Sequence, residues 1–155
     1  MQQLSPHFSL SELIHSDKAD ELGIDNSPTQ DIVAALTQTA QGLERIRGVL
    51  GVPMLISSGY RCSALNAAVG GAHDSQHLTG HAADFTAPQA GDPLTVCKII
   101  LAHRELIMFD QLIYEGRPDG VMWAHVSFVA GAPRGDVLTA HFIDGHRATY
   151  TPGLA

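Results

Sequence analysis

Ten residues, Ser75-Gln-His-Leu-Thr-Gly-His-Ala-Ala-Asp84, concentrate the side chains of this chain that could bind a divalent metal. His77 and Asp84 are the leading pair. An imidazole nitrogen and a carboxylate oxygen are both good zinc ligands, and a catalytic zinc takes about three protein ligands and leaves one position open. Asp84 stands in the apolar run Ala82-Ala83-Asp84-Phe85. A carboxylate buried there needs a cation or hydrogen-bond donors to offset its desolvation. His81 lies four residues after His77, the helical spacing of zinc-protease histidines. However, the Glu that should follow the first His of that motif is Leu78 here, and Gly80 is a poor helix residue. The expectation is therefore a loop at His77 and a strand from His81.

A third ligand must come from another segment. Trp123-Ala-His125-Val-Ser127 supplies one, because on a strand Trp123, His125 and Ser127 share a face. Two bland readings stand beside this one: an edge histidine bonded to backbone, and a metal-free fold in which the three side chains never meet.

The elements that must position these groups can be read from the pattern. Ser9 with Glu12 has capping-box spacing and starts a short helix; Asp17 to Leu22 is a second, stopped by Gly23. Ser27-Pro28 reads as N-cap and first position of a long helix to about Leu50, whose apolar positions Ile32, Val33, Leu36, Ala40, Leu43, Ile46, Val49 and Leu50 follow a 3.6-residue period. Pro53 to Ser58 is a strand, Ser63 to Val69 a helix and Ala72 to Gly80 a loop. His81 to Thr86 is a strand, and Asp92-Pro93 starts a helix. Strands follow at Asp110 to Glu115 and Val121 to Val129, separated by the Pro118-Asp119-Gly120 breaker. A last hairpin joins Val137 to Ile143 with His146 to Thr151 through Asp144-Gly145. Without regular βαβ alternation, the fold class is α+β with a mainly antiparallel sheet.

Composition sets outer limits. The 155 residues fit a single domain, 1–155, with an ordinary hydrophobic fraction of 45%. A net charge of −7 argues against nucleic-acid binding driven by phosphate attraction. Cys62 and Cys97 fit no zinc or disulfide spacing and read as core thiols. No basic stretch followed by an apolar core opens the chain, so a protein made in the cytoplasm without a secretory leader is expected, and no run is long enough for membrane insertion.

The pattern S-x-H-x-x-G-x-A-x-D, the downstream W-x-H and the upstream Ser58-Gly59-Tyr60-Arg61 resemble the zinc D-Ala-D-Ala carboxypeptidase family, within the wider group of lysostaphin-type peptidases and hedgehog domains. Leu4 to Glu12, Gly23 to Asn26, Leu65-Asn66, Val69 to Ala72 and Asp110 to Ile113 resemble its phage and prophage branch. The similarity covers about residues 4–128 and leaves residues 130–155 as an unassigned tail.

The resemblance implies zinc held by His77, Asp84 and His125, with His81 outside the ligand set. It implies that Arg61 holds a substrate carboxylate or carbonyl and that Ser75 lies near the substrate amide, while Tyr60 is assigned to packing. It also implies a peptidase of peptidoglycan stem peptides, either a carboxypeptidase or an endopeptidase. Such an enzyme would be monomeric and would act at the bacterial cell wall after release, as an endolysin or other phage protein.

One position departs from the family. The acid that stands three residues before the last His is Met122 here. Glu115 and Asp119 are the replacements for the general base, with Glu115 favoured. Directly opposite His125, a Glu115 carboxylate would start within about 5 Å of the ligand's Cβ. In a tight hairpin with Glu115 opposite Val121, the gap would be roughly 13 Å. The missing acid also supports a rival reading: a catalytically inactive, metal-containing module that binds cell wall or serves in a virion.

Overall fold

A computed structural model describes residues 2–143 and 147–154. The hairpin turn expected at Asp144-Gly145 lies outside the described residues. Helices α1 (Leu10–Ile14), α2 (Asp17–Leu22) and α3 (Gln30–Leu50) come first, followed by strand β1 (Leu55–Ser58) and helix α4 (Ser63–Ala68). A 3₁₀ turn at Gln76–Thr79 precedes β2 (Ala82–Thr86). Then come α5 (Pro93–Ala102), α6 (Arg104–Ile107), β3 (Gln111–Gly116), β4 (Met122–Ser127), β5 (Asp136–Ile143) and β6 (Arg147–Pro152). Among the described residues, six strands form one sheet in the order β1-β2-β4-β3-β5-β6. The β3–β5 pair is parallel and every other pair is antiparallel. This is the expected α+β class.

Local chemistry accounts for most helix ends. The Ser9 hydroxyl accepts the Glu12 amide at 3.2 Å, and Asp92 caps α5 through the Thr95 amide at 2.8 Å. The long helix begins two residues later than expected. Asp25 takes the Ser27 amide at 2.9 Å in a turn of its own, and Thr29 becomes the N-cap, accepting from Ile32. Proline 28 therefore precedes the helix instead of opening it.

The sheet has two chemically different faces. On β2, Ala83 and Phe85 join the core with Leu112, Ala124 and Val126, and α3 and α5 cover them through Leu36, Leu43, Ile46, Val96 and Ile100. Each such fully buried aliphatic contributes roughly 1.5–3 kcal/mol. The alternation of a strand sends Asp84 to the opposite face. This explains a carboxylate inside an apolar run: its neighbours serve the core, and it serves the other side.

Register then aligns side chains across that second face. Asp84 is paired with His125, His125 with Ile113, and Ile113 with Leu138. The β3–β4 hairpin adopts neither of the two registers weighed from the sequence. Its connection spans residues 117–121, closed by the Arg117 amide on the Val121 carbonyl at 2.9 Å, so Glu115 lies opposite Trp123. A shift of two residues preserves the face, and Glu115 stays on the side of His125, one diagonal step away.

The tail beyond the resemblance completes the sheet, β5 and β6 pairing antiparallel where a hairpin of Val137 to Ile143 with His146 to Thr151 is expected. Arg134 holds it in place. Its guanidinium donates to Asp110 at 2.7 Å, and Asp110 also accepts from Gln76 at 3.0 Å. Burial pushes the Asp110 pKa up, but these hydrogen bonds outweigh it and hold the carboxyl below the usual range. A lowered carboxylate pKa contributes stability that is fully present above the unfolded value, about 3.9, and is lost as pH falls through the folded value. Asp110→Asn is therefore expected to lower the melting temperature at pH 7 and to leave a smaller difference from wild type at pH 2–3, followed by circular dichroism.

Candidate functional site

The strand row delivers three buried donors to one point. His77, Asp84 and His125 each offer a ligand atom, and these atoms lie within 4.8 Å of one another. Asp84 Oδ1 is 3.2 Å from His77 Nε2 and 2.9 Å from His125 Nδ1. The two rings meet edge to face with centroids 5.1 Å apart. Histidines from two distant segments, His77 and His125, thus share one carboxylate oxygen.

The tautomer of His77 bears on what this group can hold. Its Nδ1 donates to the Gly59 carbonyl at 2.6 Å. In a neutral ring this leaves Nε2 as a lone pair facing a carboxylate oxygen. Two acceptors this close require a proton or a cation between them. Buried histidine ligands of metals show the same outer bond, which fixes ring orientation. Burial raises the Asp84 pKa, yet the two imidazoles overcome it and hold the carboxyl well below the ordinary range. Burial likewise pushes His125 down, and Asp84 more than reverses this. With neutral rings, Asp84 and Glu115 outweigh Arg61 by one negative charge. The donor set, its burial and its charge all fit a divalent cation.

The His77 loop is held from beneath. Ser75 Oγ accepts the His77 amide at 3.2 Å, and Gly80 ends the turn at φ +80°, where its carbonyl accepts from Thr39 at 2.7 Å. Only glycine takes that backbone conformation readily. The Arg61 amide donates to the His77 carbonyl at 3.0 Å, the Tyr60 amide to Leu13, and the Asn26 side chain bridges Ile14, Tyr60 and Cys62. Tyr60 is buried in the core, as expected. In the sequence, Asn26 is marked only by its place in the resemblance. Its amide ties α1 to the Ser58–Arg61 segment and signals itself only in three dimensions.

Gly59 is irreplaceable for a packing reason: a Cβ there would lie 2.2 Å from the Leu13 carbonyl oxygen. Gly59→Ala is expected to cost about 1–3 kcal/mol or more, read from urea unfolding. By displacing the carbonyl that fixes His77, it is also expected to weaken zinc binding about 10–100-fold in a chelator-competition titration.

Glu115 Oε1 reaches to 3.8 Å from His125 Nδ1 and accepts a hydrogen bond from Trp123 Nε1 at 3.1 Å. Burial raises its pKa, with the nearby His125 pulling the other way. Asp119 is turned elsewhere: its carboxylate caps the Val121 amide at 3.1 Å and pairs with Arg117, exposed in the turn. Trp123, part of the W-x-H pattern and on the face of His125, is the residue that orients Glu115. The W-x-H spacing predicts the shared face, and the bond to Glu115 follows from the hairpin register.

Arg61 lies beside the cluster, its Nε buried and without a hydrogen-bond partner among the described residues. Burial pushes its pKa down, while Asp84 and Glu115 push it up. His81 bonds Thr79 at 2.7 Å and stands apart from the donor group. Cys62 and Cys97 are free thiols, and burial pushes Cys97 up to about 12.

The donors open into a cleft of about 1050 Å³, lined by Arg61, Ser75, Glu115 and Trp123, by the loop 69–74, and by Arg134, Leu138 and Tyr150 from the tail. Among the described residues, no helix is long and apolar enough to cross a membrane. A family model described as Peptidase M15 matches residues 6–126, the segment that carries every donor of the cluster. No curated protein is matched at a significant level.

Proposed function

Because the chain belongs to the peptidase M15 family, we propose that it is a zinc peptidase hydrolysing peptide bonds of the peptidoglycan stem peptide. The observation that carries this reading is the convergence of His77, Asp84 and His125 at the floor of an open cleft, with Glu115 beside them. His77, Asp84 and His125 would hold the metal. A bound zinc supplies Lewis acidity, acidifying water and polarising the scissile carbonyl.

The chain's own residues supply the rest. Glu115, held by Trp123, takes a proton from the attacking water and delivers it to the leaving amine. Its raised pKa suits a group that must both accept and release a proton. Arg61 lines the cleft, and its planar fork of donors suits a substrate carboxylate or the developing oxyanion. Ser75 uses an oxygen lone pair on the His77 amide, which leaves its hydroxyl proton for a substrate carbonyl.

The alternative, an inactive metal-containing module of cell wall or virion, drew on the loss of an acid at position 122. Glu115 on the face of His125 weakens that ground. Protein with one equivalent of zinc, mixed with peptidoglycan or a stem pentapeptide, is expected to release new amines, and chelator should stop the release. Wall binding without new amines would instead favour the inactive module. The same digest, read by mass spectrometry, separates carboxypeptidase from endopeptidase products. Action at the cell wall, and a phage or prophage setting, remain part of this proposal.

A further inference from the structure

The C-terminal hairpin, beyond the matched segment, brings a second row of side chains to the catalytic face. Ala140 on β5 is paired with Tyr150 on β6, and Leu138, one step earlier on the same face of β5, continues the row of Asp84, His125 and Ile113. Tyr150 therefore belongs to the row two residues along, the row of Trp123 and Glu115. It lines the same cleft, half exposed, and its hydroxyl makes no hydrogen bond among the described residues. Burial raises its pKa, and Glu115 and Asp84 raise it further, so the phenol stays neutral and able to donate.

Its position has a length attached. From His125 on β4 to Tyr150 on β6 there are three strand spacings, on the order of 14 Å. The cleft spans them all. An extended peptide advances about 3.3 Å per residue, so an aromatic ring at that station meets substrate roughly four residues from the bond being cut. An amphipathic tyrosine gives contact area at small entropic cost and a polar tip for backbone carbonyls.

We propose that the β5–β6 hairpin is the outer wall of the substrate cleft and that Tyr150 recognises an extended peptide about four residues from the scissile bond. This rests on the peptidase reading above. The fold gives the arrangement a physical basis: the Arg134–Asp110 pair docks the hairpin, and Asp110 in turn holds Gln76, next to His77.

The test compares full-length wild type, Tyr150→Ala and Tyr150→Phe, each zinc-loaded, on a stem pentapeptide and on the shortest stem fragment that wild type cuts. Tyr150→Ala is expected to lower kcat/KM about tenfold on the pentapeptide, mostly through KM, with less than a twofold change on the short fragment. Tyr150→Phe should recover part of the loss. Equal losses on both lengths, or none on either, overturn the inference. Pentapeptide binding to chelated protein, measured by calorimetry, supplies a readout free of turnover, and Tyr150→Ala should raise Kd about tenfold. Tyrosine-dependent binding without cleavage by wild type would remove the peptidase reading and leave the wall. Cleavage with binding indifferent to Tyr150 would remove the wall alone, and neither binding nor cleavage removes both.

Discussion

Glu115→Gln is expected to lower kcat by about 10²–10⁴-fold, the range supplied by a positioned general acid–base group, while zinc stoichiometry and melting temperature stay near wild type. The substitution keeps the shape of the side chain and can keep an oxygen for Trp123 Nε1, now 3.1 Å from Oε1. What it removes is proton acceptance. Asp119→Asn is expected to leave kcat within a few-fold, because that carboxylate is engaged with its own turn at Val121 and Arg117. Steady-state kinetics on a stem pentapeptide, with zinc measured on the same preparations, decide between the two. Full activity in Glu115→Gln together with a collapse in Asp119→Asn would reverse the assignment of the base.

His77→Ala is expected to abolish stoichiometric zinc binding and, with it, activity. Loss of an outer-shell partner alone costs about 10–100-fold in metal affinity, and removal of a ligand should exceed that. The variant also leaves the Gly59 carbonyl and one flank of Asp84 without their partner in a buried setting, where an unmade hydrogen bond costs about 1–3 kcal/mol. Two measurements therefore move together: zinc content after loading and dialysis falls toward zero, and the metal-free protein unfolds at lower urea. His81→Ala is the control. The His81 side chain bonds only Thr79 among the described residues, and its backbone bonds to Gln76 and Phe128 survive the substitution, so both quantities should hold. Retention of one tightly bound zinc by His77→Ala would remove that residue from the ligand set.

Some of this was already determined by the chain as a string. The caps at Ser9 and Asp92, the apolar period of α3 and the placement of Asp84 on a strand depend on neighbours a few residues away, and local chemistry decides them. The donor types at 77, 84 and 125 were legible because few residue types bind zinc and because their pattern resembles a known family.

Other features needed the folded chain. The hairpin register places Glu115 opposite Trp123 across a five-residue turn, 117–121, closed by the Arg117 amide on the Val121 carbonyl. Asn26 and Gly59 matter through carbonyls and amides of distant segments, which no spacing encodes. The tail joined the cleft because β5 found β3 in parallel, a pairing made across a long stretch of intervening chain. Sequence decides what each segment can do by itself. Which segments meet is a sum over many weak contacts between residues far apart, and only the packed chain evaluates that sum.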